Sequence, residues 1–156
     1  MPKLELTSVP VKTGSIYPAP YAAMMAGRSS LRLGDAGRLT QFGANLVTLE
    51  PEAISSLRHS HAFEDEFVMI IAGELVLIED EGETLMRPGD CAAFPSGTGN
   101  GHHFVNRSGK VASFLVVGTK AKHEVATYAD VDLVVTISEG KAAFTYKDGS
   151  AYEAPK

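Results

Sequence analysis

Apolar residues in this chain recur in short runs that turn residues interrupt at close intervals. Residues 45–50, 66–72, 75–79, 83–87, 91–94, 102–106, 112–118, 132–137 and 141–146 read as strands. Turns separate them at Ala72-Gly73-Glu74, Asp80-Glu81-Gly82, Pro88-Gly89-Asp90, Ser108-Gly109 and Ser138-Glu139-Gly140. Regular short strands punctuated by Gly and Pro predict an all-β sandwich or barrel. Phe67-Val68-Met69-Ile70-Ile71 is apolar at every position, which predicts a strand covered on both faces, as in a closed or double-layered sheet.

The first forty-four residues follow another pattern. Pro10, Pro18 and Pro20, with Gly14, Gly27, Gly34 and Gly37, make them loop-rich. Residues 21–26 suit a short helical turn ended by Gly27. The apolar Ile16, Tyr17 and Tyr21 predict an arm that packs across the barrel or a partner subunit. The predicted organisation is an N-terminal arm over 1–44, a barrel over 45–147 and a tail over 148–156.

Composition narrows the function classes. A chain of 156 residues with 44% hydrophobic content suits one domain with an ordinary core. A net charge of −5 with scattered Lys and Arg argues against a nucleic-acid partner and against an anionic membrane surface. No helix pair of DNA-binding type is attached. The N-terminal segment lacks an unbroken apolar stretch, and no apolar run is long enough to span a bilayer. Cys91 is the one cysteine, so no intrachain disulfide forms, and a cytoplasmic location is expected. Its strand-like surroundings predict a small buried hydrophobe rather than a nucleophile.

The chemistry concentrates in His59-Ser60-His61-Ala62-Phe63-Glu64-Asp65-Glu66. Residues two apart on a strand point to one face, so His59 and His61 can share an ion. Glu66 lies five residues past His61 and faces the other way unless residues 62–65 turn or bulge. Once they do, Glu66, Val68 and Ile70 share the barrel-facing side. A second cluster, His102-His103, follows the glycine-rich loop 95–101. The two rings point to opposite faces, so only one of them can join the first cluster.

These segments carry a resemblance. His59-x-His61-(four residues)-Glu66-(six residues)-Gly73 matches the first motif of the cupin superfamily position for position. Gly89-(five residues)-Pro95-x-Gly97 … His102-(three residues)-Asn106 resembles the second motif. It departs in having four residues, not two, between Gly97 and the histidine. The chain also resembles small single-domain bacterial cupins, in its Gly14-Ser15-Ile16-Tyr17-Pro18-Ala19-Pro20 segment and its Gly99-Asn100-Gly101-His102-His103 loop.

The resemblance implies a cupin double-stranded β-helix, or jelly-roll barrel, holding one divalent transition metal ion per subunit. Its ligands would be His59, His61, Glu66 and His102, with His103 as the alternative to His102. Three imidazoles and one carboxylate suit Fe, Mn, Ni, Zn, Co or Cu and are poor for calcium. Four protein ligands on an octahedral ion leave two positions for oxygens of a substrate or for water. Glu64 is a candidate general base, although acidic residues beside a hairpin are more often solvated. Gln41, Phe63 and Phe104 are candidates for the pocket lining, and Phe94 for the core. The expected function is a metal-dependent dioxygenase or isomerase acting on a small oxygen-rich metabolite. The alternatives are a non-catalytic binding or sensing module, and a barrel in which the metal is purely structural. The apolar arm and exposed strand edges predict a homodimer.

Overall fold

The computed structural model describes residues 3–155. Thirteen strands form among them: β1 (Val11–Thr13), β2 (Arg28–Arg32), β3 (Phe42–Leu49), β4 (His59–His61), β5 (Glu66–Ala72), β6 (Leu75–Glu79), β7 (Gly82–Met86), β8 (Cys91–Phe94), β9 (His103–Val105), β10 (Ala112–Thr119), β11 (His123–Tyr128), β12 (Val134–Ser138) and β13 (Lys141–Thr145). Every pairing is antiparallel. Three sheets result, ordered β1-β2-β3-β10-β5-β8, β13-β12-β11-β4 and β7-β6-β9. They wrap one interior as a jelly-roll barrel, and single bridges such as His59–His102 tie sheet to sheet. No helix among the described residues is long and apolar enough to cross a membrane.

Alternation along each strand builds the core. Val47, Leu49, Val68, Ile70, Phe104, Ala112 and Phe114 come from facing strands and pack into one buried cluster. A second cluster joins Leu57, Ala126, Tyr128, Leu133 and Val135. Gly73 closes the tight connection from β5 to β6 with φ at 73°. A Cβ there would lie 2.7 Å from both the Ala112 Cβ and the Val111 carbonyl oxygen, so the turn excludes any side chain.

Several features differ from the sequence expectations. The segment 1–44 is more than an arm: β1 and β2 extend the large sheet, and the boundary at 44 falls inside β3. Its aromatic part does pack on the barrel, with the Tyr17 ring edge-on to Tyr128 at 5.4 Å. The short helix forms as a 3-10 turn over Tyr21–Met25, with Gly27 following at φ 77°. β11 forms where the run pattern predicts no strand. β5 is covered on one face only. Val68 and Ile70 are buried, whereas Phe67, Met69 and Ile71 are exposed on the outside of the large sheet. Cys91 sits on that outer face opposite Met69 and is exposed, because its strand turns Ala92 and Phe94 inward instead.

Candidate metal centre

β4 holds His59 and His61 on one face, as their spacing requires, with the two Nε2 atoms 3.1 Å apart. His59 Nδ1 donates to the Leu57 carbonyl oxygen at 2.9 Å. A carbonyl can only accept, so this bond fixes the tautomer and leaves Nε2 with a bare lone pair. Burial, and then the neighbouring imidazoles, pull the His59 pKa down to about 4. The ring is therefore neutral near pH 7, as a metal ligand must be.

Between His61 and Glu66 the chain leaves the four-stranded sheet and enters the six-stranded one. The crossing is pinned at both ends. Glu124 on β11 accepts from the N–H groups of Ala62 at 2.8 Å and Phe63 at 3.1 Å. Asp65 donates its N–H to the Thr119 hydroxyl and accepts from the Ser96 N–H. Glu66 then starts β5 on the same face as Val68 and Ile70, which is the parity the sequence demanded.

His102 reaches the same place from the glycine-rich loop. Gly101 has no room for a Cβ, which would lie 2.9 Å from the Ala129 Cβ. The Arg58 guanidinium donates to the Gly101 carbonyl and pairs with Asp80 and Asp130, anchoring the loop. The His102 ring stacks flat on Phe94 with centroids 3.6 Å apart. Its Nε2 lies 3.0 Å from Glu66 Oε2. Burial pushes the Glu66 carboxyl up, but the His102 bond and the surrounding imidazoles outweigh it and hold the group below its usual range. His103 faces the other side and donates Nδ1 to the Ser56 carbonyl at 2.9 Å. Of the adjacent pair, only His102 stands with His59, His61 and Glu66.

The donor set fits a transition metal. Bonds of about 2.1 Å at right angles put neighbouring ligand atoms about 3.0 Å apart. The pairs His59–His61 and His102–Glu66 stand at 3.1 and 3.0 Å. His61 Nδ1 is buried without a hydrogen-bond partner, 3.6 Å from Glu124 Oε1. A proton on that nitrogen would leave the His59 and His61 Nε2 lone pairs facing each other, an arrangement that a cation relieves. His61, Glu64 and Glu124 also gather ligand atoms within 4.8 Å of one another. Glu124 is 1% exposed and its carboxylate already accepts two backbone N–H groups, so it suits orienting His61 better than binding an ion.

Comparison with known proteins accords with this geometry. The family model described as Cupin domain matches residues 45–118. A solved structure from Silicibacter pomeroyi, described as a sugar phosphate isomerase from a cupin superfamily, is 58% identical, covers 98% of each chain and superposes with a TM-score of 0.96. The chain belongs to the cupin superfamily. A putative sugar phosphate isomerase from Acidithiobacillus ferrooxidans shares the cupin fold at 24% identity, covering 82% of this chain and 81% of its own, with a TM-score of 0.74. A polyketide cyclase from Streptomyces resistomycificus shares it at 21% identity, covering 76% and 79%, with a TM-score of 0.63. No curated protein matches.

The cupin barrel encloses a cavity of about 560 Å³ with the four candidate ligands in its wall. Phe104 and Glu64 also line it; Gln41 and Phe63 do not. Gln41 is exposed, and its carbonyl accepts from the Lys120 N–H. Phe63, 58% exposed, turns outward beside His123. Glu64 is half-buried. Burial pushes its carboxyl above the ordinary range, and an N–H from Ala121 at 2.8 Å partly offsets this. Sequence reasoning missed Glu124, and it missed Lys12, Arg28 and Arg32, which also line the cavity. The available signal for Glu124 was a lone acid in register with Ala126 and Tyr128. For the cations it was the two-residue spacing of Arg28, Ser30 and Arg32.

Proposed function

We propose that this cupin is a metal-dependent isomerase that interconverts the aldose and ketose forms of a phosphorylated sugar. The observation that carries the reading is the convergence of His59, His61, Glu66 and His102 in the wall of a cavity large enough for a monosaccharide. The 58% identical relative described as a sugar phosphate isomerase supports the choice of reaction. A divalent Fe, Mn, Co, Ni, Zn or Cu ion held by these four residues would act as a Lewis acid on the substrate's carbonyl and hydroxyl oxygens.

The chain's own residues supply the rest. Glu64 presents a carboxylate to the cavity and, unlike Glu124, spends only Oε1 on a backbone N–H. In the proposed reaction it takes the proton from the carbon beside the carbonyl and returns it to the former carbonyl carbon. The hydroxyl proton passes between the two oxygens, so the sugar is rearranged with no net gain or loss. Phe94 and Phe104 keep the His102 side of the cavity dry.

The test is incubation of metal-loaded protein with a panel of aldose and ketose phosphates in heavy water, followed by NMR. The expected result is conversion of at least one sugar with deuterium entering at the carbon beside the carbonyl. Glu64→Gln should lower kcat by about 10²–10⁴-fold. Oxygen consumption without isomerisation would instead mark a dioxygenase. Tight binding of an unchanged sugar phosphate, with no exchange under any metal, would mark a binding module. Either outcome overturns the isomerase.

A further inference from the structure

The cavity has a second wall that the ligand residues do not account for. Arg28, Ser30 and Arg32 alternate along β2 and so share one face. β1 places Lys12 opposite Ser30, and β3 places Asn45 opposite Arg32. All five line the same cavity as His59, His61, Glu66 and His102. Between the two walls, Gly43 and Gly118 occupy the strand row that leads to Glu66, so no side chain fills that stretch of floor.

The wall is cationic and short of counter-charge. Arg28 is half-buried and spends its Nε on the Ser55 carbonyl at 2.7 Å. Burial pulls its pKa down, Arg32 adds repulsion, and the Tyr17 phenol is the one group that opposes them. Among the described residues no carboxylate pairs with Arg28 or Lys12. Arg32 has only Asp35 at 3.9 Å, with both side chains 54% exposed. The protein carries 19 acidic residues against 14 basic ones, yet among the described residues only Asp35 pairs with any of these three cations. A sheltered cation without a partner is unfavourable unless a ligand supplies the missing charge.

We propose that Arg28, Arg32 and Lys12 form an anion subsite for the phosphate group of a phosphorylated substrate. Guanidinium groups suit it because they can meet two phosphate oxygens at once. Arg32, Asn45, Val116 and Val68 lie in one cross-strand row, so β2 stands about 14 Å from β5 along the curved sheet and closer across the barrel. The phosphate therefore sits at the β1–β2 end, and the hydroxy-carbonyl end of the same molecule points at the histidines. The phosphate's being part of a sugar rests on the proposed function; the subsite itself requires no turnover.

The test titrates inorganic phosphate into chelator-treated full-length protein by calorimetry at low ionic strength. Saturable binding at one site per chain is expected without metal. Arg32→Gln, at an exposed position, should weaken it about tenfold with unchanged thermal stability and unchanged metal affinity. Arg28→Gln with Arg32→Gln should abolish it, and Arg28→Lys, which keeps the charge, should retain part of it if Arg28→Gln fails to fold. Lys110→Gln on the far surface should leave it unaltered. Absence of phosphate binding, equal binding in Arg32→Gln and the parent, or binding that requires the metal would each overturn the subsite. Phosphate binding that follows this pattern without conversion of any sugar phosphate would uphold the subsite and overturn the isomerase.

Discussion

Glu124, buried behind His61, and Arg32, in the cavity wall, are both charged, and the fold holds them in opposite ways. Glu124 is 1% exposed, accepts two backbone N–H groups and faces His61. Arg32 is 54% exposed and has a single distant acidic neighbour. The ligand wall is thus preorganised by buried hydrogen bonds formed on folding. On the β1–β2 wall, Arg28 spends only its Nε on the protein, and Arg32 meets only its distant acid. On the ligand wall, substitutions should cost stability or metal affinity; at the exposed Arg32, substitution should cost only ligand binding.

The largest effect expected from a buried polar anchor comes from Asn106, just past β9, which is 0% exposed. Its Nδ2 donates to the Leu49 and Lys110 carbonyls, and its Oδ1 accepts from the Ser108 N–H and hydroxyl. Asn106→Ala strands several of these groups and should cost about 3 kcal/mol in urea unfolding. A loss below about 1 kcal/mol would remove the claim that buried polar bonds fix the barrel's connections.

Glu124→Gln comes next. It should weaken metal binding by about 10–100-fold in competition with a chelating dye and alter the visible spectrum of the cobalt form. Unchanged affinity and spectrum would mean that Glu124 serves the crossing turn alone and does not orient His61.

The smallest effect concerns the clamp under the Gly101 loop. Hydrogen bonds from the Arg58 guanidinium hold the Asp130 carboxyl below its usual range. A depressed folded-state pKa stabilises above the unfolded value, about 4, and that contribution fades as pH falls through the folded value. The Asp130 side chain is 60% exposed, so solvent screening limits this contribution to roughly 0.5 kcal/mol. Asp130→Asn should flatten that part of the stability profile below about pH 4 while leaving stability near pH 2 unchanged. An identical profile in the variant would show that the pair contributes nothing to holding the loop.

The same contrast explains what the chain reveals before folding. His59, His61, Glu66, Gly73 and His102 are legible because residue type and spacing alone imply a shared face. Strand parity even called for a turn at 62–65, but not for the acid that pins it. Glu124 lies on a strand far along the chain, and its alternation with Ala126 and Tyr128 marks it as inward without linking it to His61. β1 and β2 escaped because strand reading looks for apolar residues inside. Here the inward positions are Lys12, Arg28, Ser30 and Arg32, polar because they face a cavity. Phe67, Met69 and Ile71 misled in the reverse sense. Apolar character alone does not say whether a face meets the core or lies outside the sheet.

The central claim is that four residues from β4, β5 and the loop before β9 hold one metal ion. Elemental analysis of protein prepared without a nickel column tests it most directly. The account predicts one transition metal ion per chain, lost in His61→Ala and in His102→Ala and kept in His103→Ala. Protein that folds and carries no metal, or metal kept in His102→Ala and lost in His103→Ala, would contradict it.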